Sequence, residues 1–194
     1  MSESLITKQA IANGFKTAMK EKTFDKITIS DITKNCGLNR QTFYYHFQDK
    51  FELLNWIFYT EVIEVFTDGL SLDNWQDNLY KMLHVMESDK IFYQHTLLQS
   101  FQHEFNDYLI DITVALFNNI IDDLAANEEI SEDNKNFIAS FYSYGVVGLV
   151  MEWAKTGMKK SADDIKNQIS SLVNDSKIFT VKRYFLQQSG NTLI

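Results

Sequence analysis

Six of the seven residues from Arg40 to His46 carry groups able to contact a nucleic acid: Arg40, Gln41, Thr42, Tyr44, Tyr45 and His46. A guanidinium can donate to guanine O6 and N7 together, and a carboxamide can pair with adenine N6 and N7 in the major groove. Tyrosine rings pack on thymine methyls, and tyrosine hydroxyls reach phosphates. Phe43 and Phe47, four residues apart, share one helical face and are expected to pack against Ile29 and Ile32. That leaves Arg40, Gln41, Tyr44 and Tyr45 directed elsewhere, an exposed set that does not suit a core. A plainer use is open at this point: Tyr44, Tyr45 and His46 filling a seam between helices, Thr28 acting as a cap, and Lys50 being a solvated charge.

To present that face, the run must form a short helix held against another. Thr28 stands three residues before Asp31, an N-terminal capping pattern, and opens a helix that ends at Cys36-Gly37, glycine being suited to the left-handed position after a helix. Asn39 can cap the next helix, from Arg40 to about Phe47, and Asp49 the one after. A helix, a tight turn and a second helix form the arrangement whose second member lies in the major groove. Upstream, Thr7 to Lys22 reads as a helix. Downstream, helices are expected at about 51–66, 75–87, 90–101, 104–126, 133–156, 162–173 and 177–188. Seven glycines and no proline in 194 residues remove the turn punctuation of an all-β chain, so the fold class is all-α.

Net charge is −8, unevenly placed. Residues 1–50 hold eight Lys/Arg against five Asp/Glu, giving +3, and residues 51–194 hold ten against twenty-one, giving −11. A basic front on an acidic body suits a polyanion gripped at the front, since Lys/Arg neutralisation of phosphates dominates nucleic-acid affinity. The single cysteine, Cys36, cannot bridge within the chain and fits a reducing cytoplasm. It reads as a small buried contact at the turn. No secretory signal is visible at the N-terminus. The apolar segment from Phe137 to Met151 is interrupted by Ser140, Ser143 and two glycines and is shorter than the roughly 20 residues a bilayer needs; it reads as a buried helix, and no membrane partner is expected.

Catalytic and metal chemistry find no support. His84, His95 and His103 lack the three- or four-residue spacing that converges on one ion, and no cysteine joins them. The acidic pairs Asp122-Asp123, Glu128-Glu129 and Glu132-Asp133 read as solvated surface. Phosphate-cradling glycine loops, nucleophile elbows and dinucleotide fingerprints are missing. The chain is expected to be no enzyme and to need no cofactor.

The string Thr28-Ile29-Ser30-Asp31-Ile32, then Cys36-Gly37-Leu38-Asn39-Arg40-Gln41-Thr42-Phe43-Tyr44-Tyr45-His46-Phe47, then Asp49-Lys50 and Leu53-Leu54 resembles the TetR family of bacterial transcriptional regulators. The likeness is specific over roughly residues 7–54. It departs at Cys36, where the family usually has alanine, and at Arg40-Gln41, which replaces a commoner Lys-Gly pair. The resemblance implies a TetR-like fold, with residues 1–50 a three-helix helix-turn-helix DNA-binding domain and residues 51–194 a helical regulatory and dimerisation domain. It also implies a double-stranded DNA partner met by Thr28, Asn39, Arg40, Gln41, Thr42, Tyr44, Tyr45, His46 and Lys50, with Thr28, His46 and Lys50 at phosphates.

The run from Phe137 to Trp153 is apolar nearly all round, so one stripe can face its own core while another needs a cover. It resembles the penultimate helix of TetR-type regulatory domains, which implies a homodimer built on Phe141, Tyr144, Gly145, Gly148, Met151 and Glu152. Over its length the chain resembles one branch of the family, the activators of dihydroxyacetone kinase operons. That implies a protein co-activator related to the kinase's substrate-binding subunit, with no open ligand pocket required. One alternative is a one-component repressor that binds its effector directly, lined by Trp75, Tyr80, His84, Phe92, Tyr93 and Phe101. Another is a helical protein-interaction module.

Overall fold

The first helix, α1 (Glu3–Met19), buries Ile11, Ala12, Phe15, Ala18 and Met19 along one stripe, the spacing of a single helical face. The computed structural model describes residues 3–71, 73–97, 102–124 and 130–188, with side chains at all of these except 102–106, 124 and 176–188. Among the described residues every regular element is helical.

After α1 a 3-10 turn (Phe24–Lys26) leads into α2 (Ile29–Cys36) and α3 (Arg40–His46). α1 and α2 lie closely together at Gly14, where a Cβ atom would fall 2.6 Å from the Ile32 carbonyl oxygen. Asn35 Nδ2 donates to the Gly14 carbonyl across 3.2 Å at the same crossing.

The stretch expected as one regular helix over 51–66 is continuous but not uniform. It comprises α4 (Lys50–Phe58), a π-helical turn (Tyr59–Ile63) and α5 (Glu64–Thr67). Such wider turns take up an extra residue within a helix and tend to mark working positions. The chain then breaks at Asp68-Gly69, and buried Asn78 donates to the Phe66 and Asp68 carbonyls at 3.0 and 2.8 Å, satisfying groups at the end of α5.

The body follows with α6 (Trp75–Ser88), α7 (Lys90–Leu97), α8 (Gln102–Leu124), α9 (Glu132–Lys155) and α10 (Ala162–Gln188). The two helices expected over 162–173 and 177–188 are one. Asn174-Asp175-Ser176 reads as a break, yet a run without proline or glycine costs a helix only a few tenths of a kcal/mol per residue.

α8 and α9 run antiparallel: Lys135 pairs with Asp122 at 2.6 Å near their connection, and Phe117 stacks on Tyr142 at 5.5 Å further along. α10 lies on α6, with the Ala162 N–H donating to Glu87 Oε1 across 3.3 Å. α7 lies against α9. Ile57, Val62, Phe66, Leu79, Leu83 and Leu97 are all buried, as their spacing predicts; Leu98 and Gln99 lie outside the described residues.

Candidate nucleic-acid interface

The α2–turn–α3 unit is held by local hydrogen bonds that the sequence encodes. Thr28 and Asp31 form a reciprocal capping box: the Asp31 N–H donates to Thr28 Oγ1 at 3.2 Å, and the Thr28 N–H and hydroxyl both donate to Asp31 Oδ2 at 2.9 Å. Lys22, just past the end of α1, donates to Asp31 Oδ1 at 2.6 Å. Asp31 consequently titrates at about 2, lowered chiefly by the Lys22 hydrogen bond and then by the Thr28 N–H and hydroxyl. Gly37 turns the chain at φ 69°, where a side chain would be strained. Asn39 Oδ1 then caps α3, accepting from the Thr42 N–H at 2.8 Å and the Thr42 hydroxyl at 3.1 Å.

α3 divides as its spacing predicts. Phe43 and Phe47 are buried with Ile32, and Ile29 packs partly buried against the same core. On the other side Arg40, Gln41, Tyr44 and Tyr45 are exposed, Tyr45 by 83%. Arg40 lies along Tyr44, its Nη2 donating to the phenol oxygen at 3.4 Å and its guanidinium carbon 6.0 Å from the ring centroid. Tyr45 meets the half-buried His46 edge-on at 4.9 Å. A helix of this length presenting a guanidinium, a carboxamide and two phenols to solvent can enter a major groove and meet base edges.

Two of the three positions expected at phosphates are engaged within the fold. The Thr28 hydroxyl is used by its capping box. Lys50 spends its ammonium on three backbone carbonyls, those of Phe24, Asp25 and Ile27 at 2.8, 3.3 and 3.1 Å. It also lies 4.5 Å from the Phe24 ring centroid. In this structure both residues tie the approach to α2 together. Asn39 and Thr42 likewise bond to each other at the start of α3. Cys36 is half-buried at the end of α2, with burial pushing its thiol pKa up.

Comparison with known proteins bears on this unit and on the body alike. The family model described as bacterial regulatory proteins of the tetR family matches residues 16–57. A second TetR model, described as the transcriptional regulator C-terminal region, matches residues 73–175, more than half of the chain. The chain belongs to the TetR family.

Among its relatives, the HTH-type dhaKLM operon transcriptional activator DhaS of Lactococcus lactis subsp. lactis (strain IL1403) is 29% identical over 181 residues, covering 89% of this chain and 91% of that protein. A solved structure of the dihydroxyacetone kinase operon activator DhaS matches with TM-score 0.73 and 27% identity over 92% of this chain and 97% of that one. A TetR transcriptional regulator from Streptococcus agalactiae 2603V shares the fold, with TM-score 0.56 and 22% identity over 88% and 95% of the two chains. TetR-family proteins are regulators and not enzymes, in keeping with the missing catalytic motifs.

On this TetR body α9 is two-faced, one stripe buried and another uncovered, as a run apolar nearly all round implies, and it is not buried throughout. By length and composition alone it is apolar enough to cross a membrane, but Ala139, Ser143, Val147, Val150, Met151 and Ala154 are buried in the fold. Phe137, Phe141 and Tyr144 are exposed by 74, 69 and 63%, and Gly145, Gly148 and Glu152 lie exposed with them. Met151, expected on this outer face, is only 3% exposed. It stands seven residues after Tyr144 and four after Val147, at the boundary between the two stripes, and its side chain is buried with Val147.

The residues weighed as a ligand lining do not converge. Trp75, Phe92 and Tyr93 are buried, whereas Tyr80 and His84 stack on each other at 5.7 Å on the exposed side of α6. Phe101 and the His103 side chain lie outside the described residues. Among those described, no group of three or more His, Cys, Asp or Glu residues is arranged to hold a metal ion.

One polar cluster escaped the sequence reading. Lys16 on α1 meets Glu61 Oε2 at 2.5 Å and Asp89 Oδ2 at 3.0 Å, and the Tyr93 hydroxyl donates to the same Glu61 oxygen at 2.7 Å. Burial, and then the Glu61 charge, push the Tyr93 phenol well above its ordinary range, so it stays a donor. The participants are scattered between positions 16 and 93, and no local pattern joins them.

Proposed function

We propose that this TetR-family chain is a homodimeric, cytoplasmic DNA-binding regulator that activates dihydroxyacetone kinase genes together with a protein co-activator. The observation that carries the operon assignment is the end-to-end likeness to proteins named DhaS, 29% identical in sequence over 181 residues and TM-score 0.73 in structure. In this reading residues 1–50 are the DNA-binding domain and residues 51–194 the regulatory and dimerisation domain. Arg40, Gln41, Tyr44 and Tyr45 read bases, and His46 approaches a phosphate. Thr28, Asn39, Thr42 and Lys50 hold the helices in place for them.

The exposed stripe of α9, Phe141, Tyr144, Gly145, Gly148 and Glu152, meets its copy across a two-fold axis, and the small residues let the two helices approach closely. Two-fold symmetry then maps onto a palindromic site, since a single short helix reads too few base pairs.

The small-molecule signal reaches the dimer through a second protein related to the kinase's substrate-binding subunit. A sensor of a small polar metabolite needs several hydrogen-bonding groups converging on a pocket. Here His84 and His95 are exposed and Gln94 is half-buried, while the inward positions are mostly apolar and the buried Asn78 and Thr96 donate to backbone carbonyls. Two measurements test the reading. Selection from randomised duplexes is expected to return a palindrome, and calorimetry of the purified dimer with dihydroxyacetone is expected to show no saturable heat until the kinase-related subunit is added. Saturable binding of dihydroxyacetone to the dimer alone, with a change in operator affinity, overturns the two-protein scheme. Selection that returns no preferred duplex overturns the regulator reading.

A further inference from the structure

We infer that Lys16 is a positioning residue for DNA binding: its clasp on Glu61, Asp89 and Tyr93 fixes the angle at which the α1–α3 head sits on the body. The inference rests on the DNA-reading role proposed above and adds to it a residue far from the reading face.

Lys16 belongs to α1, which packs along α2 and so moves with the reading unit. Its partners belong elsewhere. Glu61 lies in the π-helical turn, Asp89 at the corner between α6 and α7, and Tyr93 on α7. The Lys16, Glu61 and Asp89 side chains are only 14, 18 and 27% exposed, and the ammonium sits 5.1 and 5.6 Å from the Phe92 and Tyr93 ring centroids. Such shielding from water strengthens each charge–charge interaction.

The apolar part of the seam cannot hold an angle in the same way. Phe15 meets Phe92 edge-on at 5.9 Å, and apolar burial is non-directional, so one packed arrangement competes with its neighbours at small cost. An ammonium shared by two carboxylates, one of them also taken by a phenol, is satisfied in only a narrow range of positions. Without the ammonium, Glu61 and Asp89 lose the cation that α1 brings to them, and the head loses this tie to the body. The π-helical turn contributes here: each residue of a regular helix advances the side chains by about 100°, so the extra residue in this turn changes which face Glu61 presents.

The test uses the full chain in a Cys36→Ser background, with spin labels on Ser30→Cys in the head and Asp77→Cys in the body, both exposed positions. Labelled chains are diluted with unlabelled ones so that only distances within one chain are measured. The variants that cut or weaken the clasp are Lys16→Met, which keeps the stem, and the near-isosteric Glu61→Gln, which removes one of its two carboxylate charges and serves if the first fails to fold. The expected result is a narrow distance distribution with Lys16 intact, at least about twofold broader in either variant, and narrow again in Lys16→Arg, which can still bridge both carboxylates. A distribution of unchanged width in a folded Lys16→Met or Glu61→Gln chain overturns the inference whatever happens with DNA.

A second arm moves the half-sites of the selected palindrome apart by one and two base pairs. The intact chain is expected to lose about tenfold or more in affinity, and Lys16→Met less than about threefold, because a loose head tolerates altered spacing. Equal losses for both chains count against the inference. If no palindrome is selected, the regulator reading fails while the distance measurement still judges the clasp.

Discussion

The Lys50 ammonium donates to the Phe24 carbonyl across 2.8 Å, joining the first residue of α4 to the 3-10 turn that precedes α2. This bond, with those to Asp25 and Ile27, gives Lys50 an internal task where family likeness implied a phosphate. Lys50→Met is therefore expected to lower stability by about 1.5–3 kcal/mol, the usual net scale for hydrogen bonds to a charged group. Each phosphate contact contributes about 0.9 to the slope of log affinity against log salt, so the slope should stay unchanged in this variant. A slope reduced by about that amount, with unaltered melting, returns Lys50 to the phosphates.

Arg40→Ala and Gln41→Ala act on the exposed face of α3. Each is expected to cost about 1–3 kcal/mol on the preferred duplex and to relax base preference at one position of each half-site, leaving melting unchanged. Selection profiles of the two variants, set beside that of the intact chain, provide the check. Profiles identical to the intact one place base reading elsewhere.

The head has an acid limit set by Asp31. Its carboxyl titrates at about 2 when folded, against an ordinary value of 3.8. A depressed carboxylate stabilises the fold above its unfolded pKa and loses that contribution as pH falls through the folded one. The stability difference between the intact chain and Asp31→Asn should thus be constant from neutral pH down to about pH 4 and shrink toward pH 2. Thermal melts across that range would show a constant gap if the capping box and Lys22 did not act on the charge.

Phe141→Asp places a charge in the middle of the exposed α9 stripe. Because Phe141 is 69% exposed in the single chain, the substitution should leave the protomer folded while abolishing self-association. Sedimentation equilibrium at micromolar protein is expected to show a monomer with sharply reduced affinity for the palindrome. A dimer of normal strength would remove α9 from the interface.

The elements legible in the sequence are those whose ends are written locally. Thr28, Gly37, Asn39 and Asp49 each act on backbone groups within three residues, and the boundaries of α2, α3 and the start of α4 follow from them. The orientation of Phe43 and Phe47 against Arg40, Gln41, Tyr44 and Tyr45 is equally local, being a matter of helical phase. What escaped depends on distant chain. The π-helical turn has no sequence mark among apolar and acidic residues, and Lys50 finds its acceptors 23 to 26 positions upstream. Met151 lies seven residues after the exposed Tyr144 and so almost in phase with it, yet it is buried; phase alone does not separate the two in a run that is apolar nearly all round.

Gly14 lies on α1, away from the reading face, and its bare Cα is what lets the Ile32 carbonyl come close; a Cβ there would stand 2.6 Å from that oxygen, against backbone that cannot swing aside. Among randomly generated alleles, position 14 should accordingly behave as a hot spot for regulators that accumulate in the cell yet fail to act. Even alanine, the mildest replacement by chemistry, belongs to that class. A second-site suppressor is to be sought on α2, where trimming or shifting the segment around Ile32 can restore the room that glycine provides.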